Sequence, residues 1–148
     1  MKEKIINFIY IFLPLILGSF IGLLIHDYSY YDTLSKPILA PSEIVFPIVW
    51  SIIYILMGLS YYLYRKKESN VNILYYFQLV VNLLWTIIFF LLKSNILSLL
   101  WIILLDVLII LNIINYYKYN KISAYLFIPY LLWSLFATYL TISINILN

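Results

Sequence analysis

Cysteine is absent from the 148 residues, so a disulfide framework, a thiolate metal site and a cysteine nucleophile are all excluded. A single histidine, His26, excludes a multi-histidine metal cluster. Charge is scarce: charged residues make up 10% of the chain, and the net charge of +3 is too small and scattered to mark a nucleic-acid surface. There is no Ser-His-Asp set and no phosphate-binding glycine loop, which leaves hydrolytic and phosphoryl-transfer chemistry unsupported. Glycine and alanine are sparse while Ile, Asn, Tyr and Lys abound, a composition that fits an AT-rich coding genome such as that of a low-GC bacterium.

What remains is apolar. Hydrophobic residues make up 66% of the chain, with a mean hydropathy of +1.02. A soluble domain of this size leaves too much area facing water to hide so much apolar surface. Crossing a bilayer takes ~20 mostly apolar residues as helix, and five stretches qualify: 5–25, 44–64, 71–92, 96–117 and 124–147. Backbone groups in lipid must be satisfied within their own segment, so the spans are helices. The expected fold is all-α, one transmembrane domain of five helices over residues 1–148. No linker and no internal repeat interrupts it. The first apolar run outlasts a signal-peptide core, and His26-Asp27-Tyr28 follows it in place of a small-residue cleavage site. It is therefore expected to be retained as the first span.

Seven of the nine basic residues (Lys2, Lys4, Arg65, Lys66, Lys67, Lys118 and Lys121) fall on one side of this topology, with Lys36 and Lys93 on the other. The positive-inside rule then places the amino terminus in the cytoplasm and the carboxyl terminus outside, in a bacterial cell membrane. Tyrosines gather at the span ends. Tyr61, Tyr62, Tyr64, Tyr75, Tyr76, Tyr116, Tyr117 and Tyr119 are expected to form an inner interfacial belt, and Tyr28, Tyr30 and Tyr31 an outer one.

The segment from Asp27 to Glu43 is the one substantial loop. Pro37 and Pro41 stiffen it, and Leu34, Ile38 and Leu39 let it lie on the bundle. It reads as a lid over an outward-opening pocket, with Lys36 as its sole cation, or as a tethered connector. Within the spans, Trp50, Tyr54, Met57, Gly58 and Tyr61 share a face, as do Gln78, Asn82, Trp85 and Phe89. Tyr130, Trp133, Ala137 and Thr141 form a third such series, after the in-helix Pro129. Buried amides in lipid need partners and face the bundle interior. These faces suit a packed core, or an aromatic-walled cavity for a flat hydrophobic ligand with Asn82 and Gln78 as polar handles.

Asp106 lies midway along the fourth span with no basic residue at its depth. A carboxylate there costs ~2.5–3.5 kcal/mol on insertion scales, so it is expected to be neutral and bonded to an amide or backbone carbonyl, or to serve as a proton-linked acid. His26 could reach haem iron or simply be solvated. Gly18 and Gly22 have the small-xxx-small spacing of a close helix contact.

The run Tyr31, Leu34, Lys36-Pro37, Pro41, Val45-Phe46, Val49-Trp50, Tyr54 and Met57-Gly58 resembles the first loop and second helix of the TspO/MBR family, the tryptophan-rich sensory proteins and mitochondrial translocator proteins. Gln78-Leu79, Asn82, Trp85 and Phe89-Phe90 extend the resemblance, as do Pro129-Tyr130, Trp133, Phe136-Ala137 and Tyr139-Leu140. It covers nearly the whole chain, and five spans is the family's number. The resemblance implies a commonly dimeric bundle that needs no cofactor and binds porphyrins such as protoporphyrin IX or haem, and in some members sterols, benzodiazepine-type drugs or other flat hydrophobic molecules. Its cavity would lie beneath the first loop, lined by Tyr31, Lys36, Pro37, Trp50, Tyr54, Asn82, Trp85, Phe89, Tyr130, Trp133 and Ala137. Some members are reported to break down bound porphyrin in light, which would implicate Trp50 and Trp133. Tyr30, Ser42 and Ile44 depart from the family's usual Trp, Pro and Trp. The proposed sterol motif needs a basic residue after a tyrosine near the carboxyl end, and none follows Lys121. Three functions follow as expectations: a tetrapyrrole receptor or carrier, a light- and oxygen-dependent porphyrin-degrading enzyme, and a small proton-coupled transporter using Asp106.

Overall fold

The computed structural model describes residues 1–148. Six helices account for most of the chain: α1 (Lys2–Leu24), α2 (Ser29–Thr33), α3 (Val45–Arg65), α4 (Ile73–Phe90), α5 (Asn95–Tyr119) and α6 (Lys121–Leu147). Five are long and apolar enough to cross a membrane, and α2 is a five-residue helix within the first loop. Polar side chains set the starts of three helices. Asn72, Ser94 and Asn120 each accept a backbone N–H in the first turn of α4, α5 and α6, satisfying donors that have no intrahelical partner. The polar break expected between residues 118 and 123 shrinks to Asn120. Its side chain caps α6 and also donates to the Leu63 carbonyl at 3.2 Å, so a one-residue corner suffices.

The long helices close into a ring. α1 packs on α3, α3 on α6, α6 on α5 and α5 on α4, and a sparser contact between α4 and α1 completes the circle. α1 is the least embedded, with Pro14 its one fully buried residue. Its register on α3 is set by close approach: a Cβ added at Gly58 would overlap the Ile11 carbonyl, and one at Gly18 would overlap the Tyr54 ring. Large apolar side chains such as Phe8, Phe20, Phe77, Leu132 and Ile146 cover the outside, where lipid is their natural solvent.

One end of the bundle gathers the first loop, the turn between α4 and α5, and Asn148. Tyr30 donates its hydroxyl to Asn95 Oδ1 at 2.8 Å and to the Lys93 carbonyl at 3.2 Å. The Asn148 amide pairs with the Ser35 backbone on both sides, at 3.0 and 2.9 Å. The loop is thus fastened to three parts of the chain, and the opposite end collects Arg65, Lys66, Lys67, Lys118 and Lys121.

The tyrosines at that basic end divide in a way their sequence position does not reveal. Tyr61, Tyr64, Tyr75 and Tyr116 are no belt residues; they are buried in the bundle core. Tyr61 and Tyr75 stack face to face with centroids 4.0 Å apart, and Tyr64 stacks on Tyr116 at 4.7 Å. Four large rings fill a volume that aliphatic side chains would otherwise occupy. Tyr117 and Tyr119 are exposed, Tyr62 is half-buried, and Tyr76 is half-buried and packs edge-on against Tyr61 and Tyr75. At the other end, Tyr31 is likewise buried.

Candidate functional site

Beneath the first loop lies a cavity of about 640 Å³, within the range that holds drug-sized and cofactor-sized ligands. α3 supplies Pro47, Trp50, Ser51 and Tyr54; α4 supplies Trp85, Thr86 and Phe89; α6 supplies Ala137 and Thr141. The fourth wall is α1, through Leu15, Gly18, Ser19 and Gly22. Tyr31 and Phe46 roof it with rings 5.2 Å apart at a steep angle. Trp50 stacks on Tyr54 at 5.5 Å and Trp85 on Phe89 at 5.4 Å, so two aromatic pairs, one on α3 and one on α4, line the space.

The floor is a chain of buried hydrogen bonds. Tyr54 donates to Asn82 Oδ1 at 2.8 Å, the Asn82 amide donates to the Tyr130 hydroxyl at 2.8 Å, and Tyr130 donates to Gln78 Oε1 at 2.9 Å. Gln78 Nε2 ends the chain on Met57 Sδ at 3.5 Å. Three helices are thereby tied together at the centre of the bundle, where an unpaired polar group would be costly.

Of the residues singled out from sequence, Tyr31, Trp50, Tyr54, Trp85, Phe89 and Ala137 surround the cavity. Asn82 and Tyr130 lie just below it, reaching the lining through Tyr54. Lys36 and Pro37 are outside the lining. The Lys36 ammonium donates to the Tyr31 carbonyl at 3.0 Å and pairs with Asp32 at 3.5 Å. Trp133 is outside it too, in a separate groove with Val49, Ile53, Pro129 and Phe136. The contributors that escape a reading by periodicity include the α1 wall, Tyr28, Glu43, Ser51 and Thr86. The Gly18/Gly22 spacing was the one available signal, and it points to close packing more readily than to a cavity wall.

Tyr31 donates its hydroxyl to the Pro41 carbonyl at 2.9 Å, bracing the roof across the loop. Burial, with a smaller contribution from the neighbouring Asp32 charge, holds its phenol above the ordinary tyrosine value.

Asp106 faces inward between α5 and α6. Ser134 and Thr138 donate to its two carboxyl oxygens, each at 2.6 Å. Its partners are thus side-chain hydroxyls of α6 and not the amide or backbone carbonyl expected from sequence. It does not line the cavity. No group of three or more His, Asp or Glu side chains could hold a metal.

The TspO/MBR family model matches residues 10–147. A tryptophan-rich protein TspO of Chlorobaculum tepidum is 39% identical over 125 residues, covering 80% of this chain and 79% of that one. One from Archaeoglobus fulgidus is 36% identical, covering 81% and 80%. The tryptophan-rich sensory protein of Cereibacter sphaeroides is 30% identical over 129 residues, covering 86% and 82%.

Proposed function

The chain belongs to the TspO/MBR family of integral membrane proteins, and from that premise we propose that it is a membrane receptor or carrier for flat hydrophobic ligands of the tetrapyrrole class, held in the cavity beneath its first loop. The observation that carries this reading is that the Trp50–Tyr54 and Trp85–Phe89 stacks both line one space of about 640 Å³. A planar aromatic ring entering that space would replace lipid or water with ring faces. Aromatic pairs of this kind contribute roughly 0.5–1.5 kcal/mol each beyond burial. The roof formed by Tyr31 and Phe46 gives the loop the place of a lid, and its fastenings to Asn95 and Asn148 hold it there.

The segregation of basic residues supports a cytoplasmic amino terminus and a cavity that opens to the outside. A reporter fused after Asn148 is expected to be active outside the cytoplasm, and activity only inside would reverse this topology.

Titrating protein in neutral nanodiscs with protoporphyrin IX dimethyl ester, with absorbance followed in the dark, tests the binding reading. A saturable red shift of the main absorption band at one ligand per chain is expected; unsaturable partitioning equal to empty nanodiscs would overturn it. Repeating the titration in light with oxygen separates a receptor, which returns its ligand intact, from an enzyme that consumes it.

A further inference from the structure

Among the residues that line the cavity there is no lysine, arginine or histidine and one carboxyl side chain, that of Glu43. Glu43 stands at the mouth, exposed, with no ion pair to its carboxylate; the one ion pair in the chain joins Lys36 to Asp32. The two cations of this end are engaged elsewhere. Lys36 lies 4.3 Å above the Tyr31 ring as well as on the Tyr31 carbonyl, and Lys93 lies 5.6 Å from the Tyr30 ring centroid. Neither reaches the lining.

The hydroxyls tell the same story. Seven line the cavity, and five of them already donate their protons to the protein. Tyr28 donates to the Gly22 carbonyl at 2.7 Å and Tyr31 to the Pro41 carbonyl at 2.9 Å. Ser51 donates to the Pro47 carbonyl at 2.7 Å, Tyr54 to Asn82 at 2.8 Å, and Thr141 to the Ala137 carbonyl at 2.7 Å. These oxygens keep lone pairs to offer but no proton. An incoming carboxylate needs donors or cations; the lining keeps few unspent side-chain donors, among them the Ser19 and Thr86 hydroxyls and the Trp50 indole N–H, and offers no cation, while the acid at the mouth is Glu43.

We propose that Glu43 makes this cavity discriminate by ligand charge, favouring flat ring systems whose outward edge is neutral or cationic, such as an ester, amide or ammonium, over ring systems bearing free carboxylates. This deepens the tetrapyrrole reading and rests on it. A ring that fills the space lined by the aromatic pairs directs its substituents toward the mouth. There a carboxylate meets Glu43 as a like charge, and an ammonium gains a partner. The interaction is partly exposed, so it discriminates modestly and weakens with salt.

The experiment compares three porphyrins of one ring size, as the free diacid, the dimethyl ester and a bis-ammonium derivative, in neutral nanodiscs at low salt. Wild type is expected to bind ammonium tightest and diacid weakest. Glu43→Gln is expected to tighten the diacid about two- to fivefold, weaken the ammonium form by a similar factor and leave the ester within about twofold. Glu43→Lys is expected to invert the order, and 0.5 M salt to compress the differences. Saturable ester binding with equal changes for all three ligands in Glu43→Gln, or a wild type that prefers the diacid, overturns the charge discrimination alone. Absence of saturable ester binding overturns the cavity reading and this inference with it.

Discussion

Tyr54 donates its hydroxyl to Asn82 Oδ1 at 2.8 Å, so the ring that walls the cavity is held in place by the amide that joins α4 to α6. Tyr54→Phe keeps the ring and strands a buried carbonyl oxygen. The expected cost is about 0.5–1.7 kcal/mol, the scale of interhelical hydrogen bonds in membranes. Thermal unfolding in detergent should show a lower midpoint, and an unchanged one would mean the floor is not held by this bond.

Three glycines on the α1–α3–loop contact should rank in a fixed order. Gly58→Ala drives a Cβ into the Ile11 backbone, which cannot turn aside, and is expected to destabilise by about 1–3 kcal/mol or more. Gly18→Ala meets the Tyr54 ring, which is side chain and can shift in part, so its cost is smaller. Gly22→Ala places its Cβ 3.5 Å from the Tyr28 hydroxyl, an ordinary contact, and should be near neutral. Unfolding midpoints of the three variants check the order, and a Gly22→Ala as damaging as Gly58→Ala would contradict it.

Asp106→Asn should be mild. One oxygen still accepts from Ser134. The new amide can donate to Thr138, whose hydroxyl has a second acceptor in the Ser134 carbonyl at 3.0 Å. Stability is expected to fall by no more than about 1 kcal/mol. Porphyrin-ester affinity should stay within about threefold, because Asp106 does not line the cavity. A tenfold loss of affinity would show that the carboxylate takes part in binding and would favour the proton-coupled reading.

The two tryptophans implicated by family resemblance should separate. Trp50 lines the cavity and stacks on Tyr54, whereas Trp133 sits in the groove beside Pro129 and Phe136. Trp50→Phe is expected to weaken ester binding about two- to tenfold through lost ring area, and Trp133→Phe to leave it within about twofold. Equal losses would place the ligand against the far side of α6.

Much of the framework is legible in the sequence, for reasons that are physical. Hydrocarbon thickness and backbone satisfaction leave few choices for five apolar runs, and all five appear as long helices. The shared face of Gln78, Asn82, Trp85 and Phe89 is legible because amides in lipid turn inward at helical spacing, and all four are buried. Other features leave no such trace. Tyrosine suits both a headgroup zone and a packed core, so Tyr61, Tyr75 and Tyr116 could not be told from Tyr62 and Tyr117 by position. On α1 the face turned to the cavity, Leu15, Gly18, Ser19 and Gly22, has helical spacing, but its small residues read equally well as a close helix contact. Trp133 and Ala137 lie four residues apart on one stripe, yet the stripe is wide enough to border both the cavity and the outer groove. Glu43 belongs to a loop, where spacing says nothing about direction.

The most direct test of the ligand cavity is to fill it. Ser51 borders the space and is exposed, so an indole there is expected to fill the edge of the cavity without displacing packed core. Porphyrin dimethyl ester should be titrated into wild type and Ser51→Trp in neutral nanodiscs, with the unfolding midpoint of each recorded alongside. The expected result is a loss of affinity of at least about tenfold at an unchanged midpoint. Ser51→Trp binding the ester as tightly as wild type, with the fold intact, would show that the ligand lies somewhere other than beneath the first loop.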